Sequence, residues 1–121
     1  MVRADGVDRH RDSVLTAAAR GTLLVVYTER LDACREFYAG LGLDLVREQH
    51  GAGPIHYAVE LADGLVLELY PGRPDRVTGR LRLGFTVPVS DRLDAGEHRL
   101  ADPDGRVVVQ AVEPGRPDGT G

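Results

Sequence analysis

A single carboxylate, Glu68, lies in the middle of the otherwise apolar run VLELYP and is the residue that most requires a chemical explanation. Because side chains alternate along a strand, Val66, Glu68 and Tyr70 share one face and the neighbouring leucines share the other. A carboxylate and a phenol beside a valine are typical of the wall of a small-molecule cavity, whereas the leucine face suits packing beneath a helix. We therefore expect a polar-edged cavity on the Glu68 face.

The other residues that could do chemistry form no metal or catalytic motif. The histidines show no HxH or HxxxH spacing, and Cys34 is the only cysteine, so no CxxC pair exists. His56 either shares the cavity face with Ala58 and Glu60, near Glu68, or lies at the hairpin edge in solvent; the second alternative is slightly favoured. No nucleophile elbow, phosphate loop or dinucleotide fingerprint is present.

The elements that must position these residues follow a β-α-β-β-β order. Residues 22–27, TLLVVY, predict a central strand, and Thr28 predicts the cap of a helix that runs to about Leu41 and stops at Gly42. Residues 43–49 predict another strand. The hairpin 56–71 turns at an Ala-Asp-Gly sequence. This order places the helix on one face of a four-stranded sheet and leaves the other face free to curve into a cup.

The second half of the chain predicts a shorter unit of the same kind. In the strand LRLGFTV, Arg82, Gly84 and Thr86 share one face, and Leu83 and Phe85 lie on the other. A DPDG turn at residues 102–105 then leads to a closing strand, 107–112. Compared with the first unit, this one lacks roughly a helix and a strand.

Length and composition limit the function classes. The chain has 121 residues and a net charge of −4, which favours one domain and argues against nucleic-acid binding. A single cysteine, no signal-peptide pattern and no membrane-length apolar run predict a cytoplasmic protein. We expect a flexible N-terminal tail over residues 1–20, a folded domain over 21–113 and a disordered tail over 114–121.

The chain resembles the glyoxalase / bleomycin resistance / extradiol dioxygenase superfamily, also called the vicinal oxygen chelate fold. The resemblance is carried by LLVVYTERLDACREFYAGLGLDLV, HGAGPIHYAVELADGLVLELYP, LRLGFTV and ADPDGRVVVQ, which together cover Leu23 to Gln110. It implies an α+β fold in which paired βαβββ modules form a cupped mixed sheet, here with a shortened second module. It also implies, in the metal enzymes of the family, four metal-ligand positions on the first and last strands of each module.

In this sequence those four positions correspond to Leu23, Glu68, Arg82 and Val109. Leucine and valine have no donor atom and arginine has no lone pair to give, so only Glu68 could bind a metal. We therefore expect no metal and no other cofactor. Arg82 would instead face Glu68 across the cup and hold it ionised; a purely structural ion pair is an equally weighted alternative.

The most economical function is a metal-free binding protein of the bleomycin resistance type that takes up a small apolar or aromatic molecule and sequesters a toxic natural product or antibiotic. No catalytic residue is assigned. One alternative is a lyase, isomerase or dioxygenase-like enzyme that uses Glu68 as base, with Arg82 steadying an oxyanion. Another is a structural or partner-binding module whose cup is filled by its own side chains. The expected ligand-binding residues are Leu23, Val25, Tyr27, His56, Val66, Glu68, Tyr70, Arg82, Thr86 and Val109, with Gly84 and Val107 completing the wall.

The shortened second module also predicts a homodimer. The apolar face that carries Leu83 and Phe85 would have no helix of its own, and such a face is seldom left to water. A second copy of the chain is the favoured cover, and the N-terminal segment SVLTAAAR is the rival. On this argument Phe85→Asp yields a monomer that binds no ligand.

Overall fold

The computed structural model describes residues 18–89 and 94–113. Within these residues it contains one helix and seven strands. The helix is not long and apolar enough to cross a membrane. The predicted tails, 1–20 and 114–121, fall almost wholly outside the described residues, as does most of the segment SVLTAAAR. The elements are β1 (Leu23–Thr28), α1 (Leu31–Gly40), β2 (Val46–Glu48), β3 (His56–Glu60), β4 (Val66–Pro71), β5 (Arg82–Pro88), β6 (Gly96–Ala101) and β7 (Val107–Glu113).

The strands form two mixed sheets with related topologies. The first sheet has the order β1-β4-β3-β2, and the second has the order β5-β7-β6. In each, the first and last strands of the module pair in parallel, and the remaining pairs are antiparallel. β5, β6 and β7 thus repeat the arrangement of β1, β3 and β4. Counterparts of α1 and β2 are absent from the described part of the second module, so the predicted α+β fold with a shortened second module is confirmed.

The first module follows the sequence signals with three corrections. β1, predicted as a central strand, lies at the edge of its sheet. The strand predicted over residues 43–49 is limited to Val46–Glu48, and the third correction is at the helix start. Thr28 is the last residue of β1 and does not cap the helix, because α1 begins at Leu31 with Arg30 in the cap position and no side-chain cap. The Thr28 hydroxyl instead accepts a hydrogen bond from the Arg30 backbone N–H at 2.9 Å. At the other end the prediction is confirmed, since Gly42 has a φ of 101° that an L side chain would resist.

The hydrophobic core lies on one face of both sheets, around α1. Tyr38 of the helix is fully buried, and its ring lies 6.3 Å from that of Phe85 in the second sheet. Gln110 of β7 donates a hydrogen bond through Nε2 to the carbonyl oxygen of Leu41 at 3.2 Å. The single helix therefore covers both sheets. The buried core cluster consists of Val26, Cys34, Tyr38, Leu41, Leu43, Leu45, Leu67, Leu69, Leu83 and Val108.

This arrangement overturns the argument that the face of LRLGFTV lacks a cover. Leu83 is only 7% exposed and belongs to the same core cluster as the helix, and Phe85 packs against that cluster. That expectation assumed one helix for each sheet, whereas α1 and both sheets share a single core cluster. No second copy of the chain is needed to bury Leu83 and Phe85.

A buried polar network joins the helix to the turn that precedes β7. Asp102 accepts hydrogen bonds from the Tyr38 hydroxyl at 2.7 Å and from Arg106 Nε at 2.9 Å. Arg106 Nη2 also donates to Asp104 Oδ2 at 2.6 Å, and the Thr28 hydroxyl donates to the same oxygen. We call these five residues the Asp102–Arg106 network. It connects β1, α1 and the second sheet through charge-assisted hydrogen bonds.

Burial and partners shift the pKa values of this network in opposite directions. Burial, reinforced by the hydrogen bond to Asp102, raises the pKa of the Tyr38 phenol far above its usual value, so the hydroxyl remains a donor. Burial alone would raise the pKa of Asp104, but the hydrogen bond from Thr28 and the charge of Arg106 outweigh it and lower that pKa. The carboxylate of Asp104 is therefore held ionised beside the guanidinium of Arg106.

Candidate functional site

The face of the first sheet that points away from α1 carries seven of the ten predicted ligand-binding residues, and we call it the cup face. Leu67 and Leu69 of β4 are buried in the core, so Val66, Glu68 and Tyr70 lie on the opposite side, as the alternation predicts. The register places Glu68 between Val25 of β1 and Ala58 of β3. In the same way Tyr70 lies beside Tyr27, and His56 lies beside Glu48 of β2.

Three rings form a row across the cup face. The rings of Tyr27 and Tyr70 lie 5.8 Å apart at 50°, and the imidazole of His56 stacks on Tyr70 at 4.1 Å and 11°. Tyr27 is 44% exposed, so one end of the row is open to a ligand. Burial, with a second contribution from the charge of Glu68, raises the pKa of the Tyr70 phenol, which keeps this hydroxyl protonated. This aromatic row is a surface of the cup face on which a planar ring could stack.

His56 contradicts the favoured expectation of a solvent-exposed histidine. Its side chain is 1% exposed, because Tyr70 covers one side of the ring and the loop that carries His50 lies against the other. Its Nδ1 forms a hydrogen bond of 3.1 Å with the carbonyl oxygen of Pro54. The alternative that placed His56 on the cavity face with Ala58 is therefore the correct one, although its contacts are with Tyr70 and Glu48.

Glu68 and Arg82 do not form the ion pair that was expected. Glu68 is half-buried at the centre of the first sheet, and Arg82 is exposed at the start of β5. No hydrogen bond or salt bridge joins these two described side chains. Arg82 instead lines a cleft of about 680 Å³ together with Glu29, Arg30 and the turn that precedes β7. Within residues 18–89 and 94–113, the Glu68 carboxylate has no hydrogen-bond or ion-pair partner.

The predicted wall residues are divided between two surfaces. Seven of them lie on the first sheet: Leu23, Val25, Tyr27, Val66, Glu68, Tyr70 and His56. The remaining predicted residues lie on the second sheet, on the side away from its buried leucine and valines: Arg82, Gly84, Thr86, Val107 and Val109. A second cleft of about 560 Å³ begins at Tyr27 and continues along the linker that follows β4, lined by Pro71, Gly72, Arg73, Arg76, Val77 and Thr78.

The sequence analysis missed a cluster of three potential metal ligands beside the aromatic row. Glu48 Oε1 lies 3.3 Å from His56 Nε2 and 3.4 Å from His50 Nε2, and the three ligand atoms lie within 4.8 Å of one another. A search for short spacings within one segment could not find it, because His56 comes from the next strand. The available signal was the pairing of a Glu-x-His segment with a histidine across a predicted hairpin.

This cluster does not coincide with the four metal positions implied by the family resemblance. Of those, Leu23 is 57% exposed and, like Val109, offers no donor atom, and Arg82 is a permanent cation. Only Glu68 could serve as a ligand there. The side chains at the four positions therefore do not form the metal site of the metal enzymes of that fold.

Comparison with known proteins supports the fold and nothing finer. No family model and no curated protein matches the sequence. Among solved structures, a possible glyoxalase from Bacillus cereus matches with a TM-score of 0.55 and 16% identity over 78% of this chain and 99% of that chain. TnmS3, an antibiotic binding protein from Streptomyces sp. CB03234, matches with a TM-score of 0.54 and 21% identity, over 81% of this chain and 98% of that chain. The oxidase ChaP-H2 matches with a TM-score of 0.52 and 17% identity, over 81% of this chain and 96% of that chain.

These structures include a binding protein and enzymes, so the shared fold does not select a function. The chain has the fold of the glyoxalase / bleomycin resistance / extradiol dioxygenase superfamily, and the resemblance found in the sequence is confirmed at that level.

Proposed function

We propose that the protein binds a small apolar or aromatic molecule on the cup face and sequesters it without a chemical reaction, in the manner of a metal-free binding protein of the bleomycin resistance type. A toxic natural product or antibiotic with a planar ring system is the proposed ligand class. The observation that carries the proposal is the aromatic row, which ends in the half-exposed ring of Tyr27. The fold shared with the antibiotic binding protein TnmS3 is consistent with it.

The contacts that the cup face offers suit a planar ligand with one polar group. A ring that stacks on Tyr27 or Tyr70 gains about 0.5–1.5 kcal/mol beyond its buried area for each aromatic contact. Val25 and Val66 add apolar surface beside the rings, and Glu68 offers an acceptor that has no partner among the described side chains. Few, convergent polar groups in an apolar wall are the usual composition of small-molecule sites.

The enzyme alternative has less support from the geometry. It requires Arg82 near Glu68 to stabilise an oxyanion, yet Arg82 lies in the cleft at the start of β5 and forms no bond with Glu68. Its three-stranded sheet presents Gly84 and Thr86 beside it, and neither is an acid or a base. Sequestration needs no such constellation, because it depends on surface and shape.

Homodimerisation is a second part of the proposal, with a different interface from the one first expected. Leu23 and Val46 are 57% and 62% exposed on the cup face, and Tyr27, 44% exposed, lies on the same face at the other end of β1. Pairing through this face would cover the exposed apolar side chains and enclose a ligand between two copies. Sedimentation velocity should show a dimer for the natural sequence and a monomer for Val46→Glu. A natural protein that stays monomeric at tens of micromolar would contradict the dimer.

Ligand binding can be followed by tyrosine fluorescence, because the chain contains no tryptophan. We expect a planar anthraquinone to quench the emission of the natural protein and to saturate at one ligand for each cup. Tyr27→Leu removes one stacking ring, and about 1 kcal/mol of lost contact corresponds to roughly a fivefold weaker Kd.

A matched control lies on the other face of the same sheet. Tyr57 points toward the helix, where its hydroxyl donates to Asp32 at 3.2 Å and the guanidinium of Arg35 lies 4.9 Å from its ring. Tyr57→Leu should therefore leave the Kd unchanged. Equal loss of binding in both variants, or no saturable quenching by any planar aromatic compound, would refute binding at the cup face.

A further inference from the structure

We propose that Glu48, His50 and His56 form a binding site for one divalent transition-metal ion of the zinc class. Two imidazoles and one carboxylate suit zinc, iron, nickel or copper, whereas magnesium and calcium prefer a shell of oxygen atoms. Three protein ligands would leave further coordination positions for water or another small donor. This proposal does not depend on what the aromatic row binds. The expectation of a metal-free protein then applies only to the four positions at which the metal enzymes of the family bind their ion.

The tautomer of His56 prepares its Nε2 atom for a cation. The carbonyl oxygen of Pro54 can only accept a hydrogen bond, so the 3.1 Å contact requires His56 Nδ1 to carry the proton. A metal-binding histidine usually donates its other N–H to such a carbonyl, which fixes the ring and raises the basicity of the ligating nitrogen. The remaining nitrogen, Nε2, then points its lone pair toward Glu48.

His56 Nε2 is an unsatisfied atom in a fully covered side chain. It is buried and has no hydrogen-bond partner in the described part of the chain, although the carboxylate of Glu48 lies 3.3 Å away. The two atoms are close enough for an ion pair but are not aligned for an N–H···O bond. An unpaired buried nitrogen is destabilising, so the position favours an occupant that satisfies it.

A tetrahedral metal ion explains both the short distance and the poor alignment. With metal–ligand bonds of about 2.0–2.1 Å, the edge of a tetrahedron is about 3.3 Å. Glu48 Oε1 lies 3.3 Å from His56 Nε2 and 3.4 Å from His50 Nε2, which match that edge. A nitrogen lone pair in such a site points at the metal and not at the neighbouring ligand atom, so no hydrogen-bond geometry is expected between the ligands.

The surroundings hold the three ligands in place. Tyr70 stacks on the imidazole of His56 and restricts its rotation. Glu48 and His56 are paired residues of β2 and β3. The loop that carries His50 is closed by a hydrogen bond from the Gly53 N–H to the His50 carbonyl at 3.0 Å and by one from Gln49 Nε2 to the Gly53 carbonyl at 2.9 Å. Rigid support of this kind is what a metal site needs.

The test is a titration of the full-length, EDTA-treated and dialysed protein with Zn²⁺ by calorimetry, repeated with Co²⁺, whose visible absorption reports its coordination. We expect saturable binding of about one ion per chain, and a Kd that rises by at least about tenfold in His50→Gln and in Glu48→Gln. Both side chains are partly or largely exposed, so the variants will fold. Cooperative thermal unfolding of each variant verifies this.

The chain offers a matched control for each change. His98→Gln alters a histidine on β6 that bonds to the Asp94 carbonyl, and Glu60→Gln alters an exposed carboxylate at the end of β3. Neither should change the affinity for Zn²⁺. The proposal is overturned if the natural protein shows no saturable binding of Zn²⁺ or Co²⁺, or if His50→Gln and Glu48→Gln bind as tightly as the controls.

Discussion

Replacing Arg106 by methionine should cost the protein a large part of its stability. Arg106 is 3% exposed, and its guanidinium contacts two carboxylates, Asp102 at 2.9 Å and Asp104 at 2.6 Å. Methionine fills a similar volume but carries no charge, so the side chain of Asp102, which is fully buried, would lose its ionic partner. Removing one partner of a buried ion pair typically costs about 3–5 kcal/mol.

The structure places the expected loss at the lower end of that range. Asp102 would retain the Tyr38 hydroxyl at 2.7 Å and the backbone N–H groups of Asp104 and Arg106, each at 2.9 Å from its other oxygen. We therefore expect a decrease of about 3 kcal/mol in the free energy of unfolding, out of a total of about 5–15 kcal/mol for a domain of this kind. With an m-value of about 1.5–2 kcal/mol/M, the urea midpoint should fall by about 1.5–2 M.

Urea unfolding followed by circular dichroism measures this loss directly. Arg99→Met is the matched control, since Arg99 is exposed on β6, and it should change the free energy of unfolding by no more than about 0.5 kcal/mol. A loss below about 1 kcal/mol in Arg106→Met would refute the reasoning, because it would mean that Tyr38 and the backbone alone satisfy Asp102.

Three further predictions concern the same core. The pKa of Asp104 is lowered in the folded state, so the stability that this carboxylate contributes is present at neutral pH and is lost as the pH falls below about 4. The urea midpoints of the natural protein and of Asp104→Asn should therefore converge at low pH. A difference that stays constant with pH would contradict this prediction. Burial raises the pKa of Cys34, so its thiol should react with Ellman's reagent only after unfolding; rapid reaction in native buffer would be evidence against its burial. Phe85→Asp should unfold the protein, because Phe85 packs against Tyr38; a folded monomer, observed by circular dichroism and sedimentation, would restore the original dimer argument.

The hairpin and the division of its faces could be predicted because they depend on local rules. Alternation alone separated Leu67 and Leu69, which are buried in the core, from Glu68 and Tyr70 on the cup face. The turn sequence Ala-Asp-Gly likewise predicted the positive φ of Gly64, which is 96°. Such features need only neighbouring residues and the period of a strand.

The errors arose where distant parts of the chain decide the outcome. Thr28 looked like a helix cap, yet its hydroxyl is bonded to Asp104, a residue 76 positions later that no local pattern connects to it. His56 is covered because the register brings Tyr70 over its ring, and register across strands was not fixed by the sequence pattern alone.

A single helix that serves two sheets explains how the second module can be so short. A module needs a helix only to bury the apolar face of its sheet, and α1 already offers Tyr38 to Phe85 and the Leu41 carbonyl to Gln110. The Asp102–Arg106 network then fixes the second sheet to that helix in one orientation. The rings and the potential metal ligands lie apart from this network, on the four-stranded sheet and the loop after β2. Changes to the network should therefore alter stability first, and changes to the cup face should alter binding without unfolding the chain.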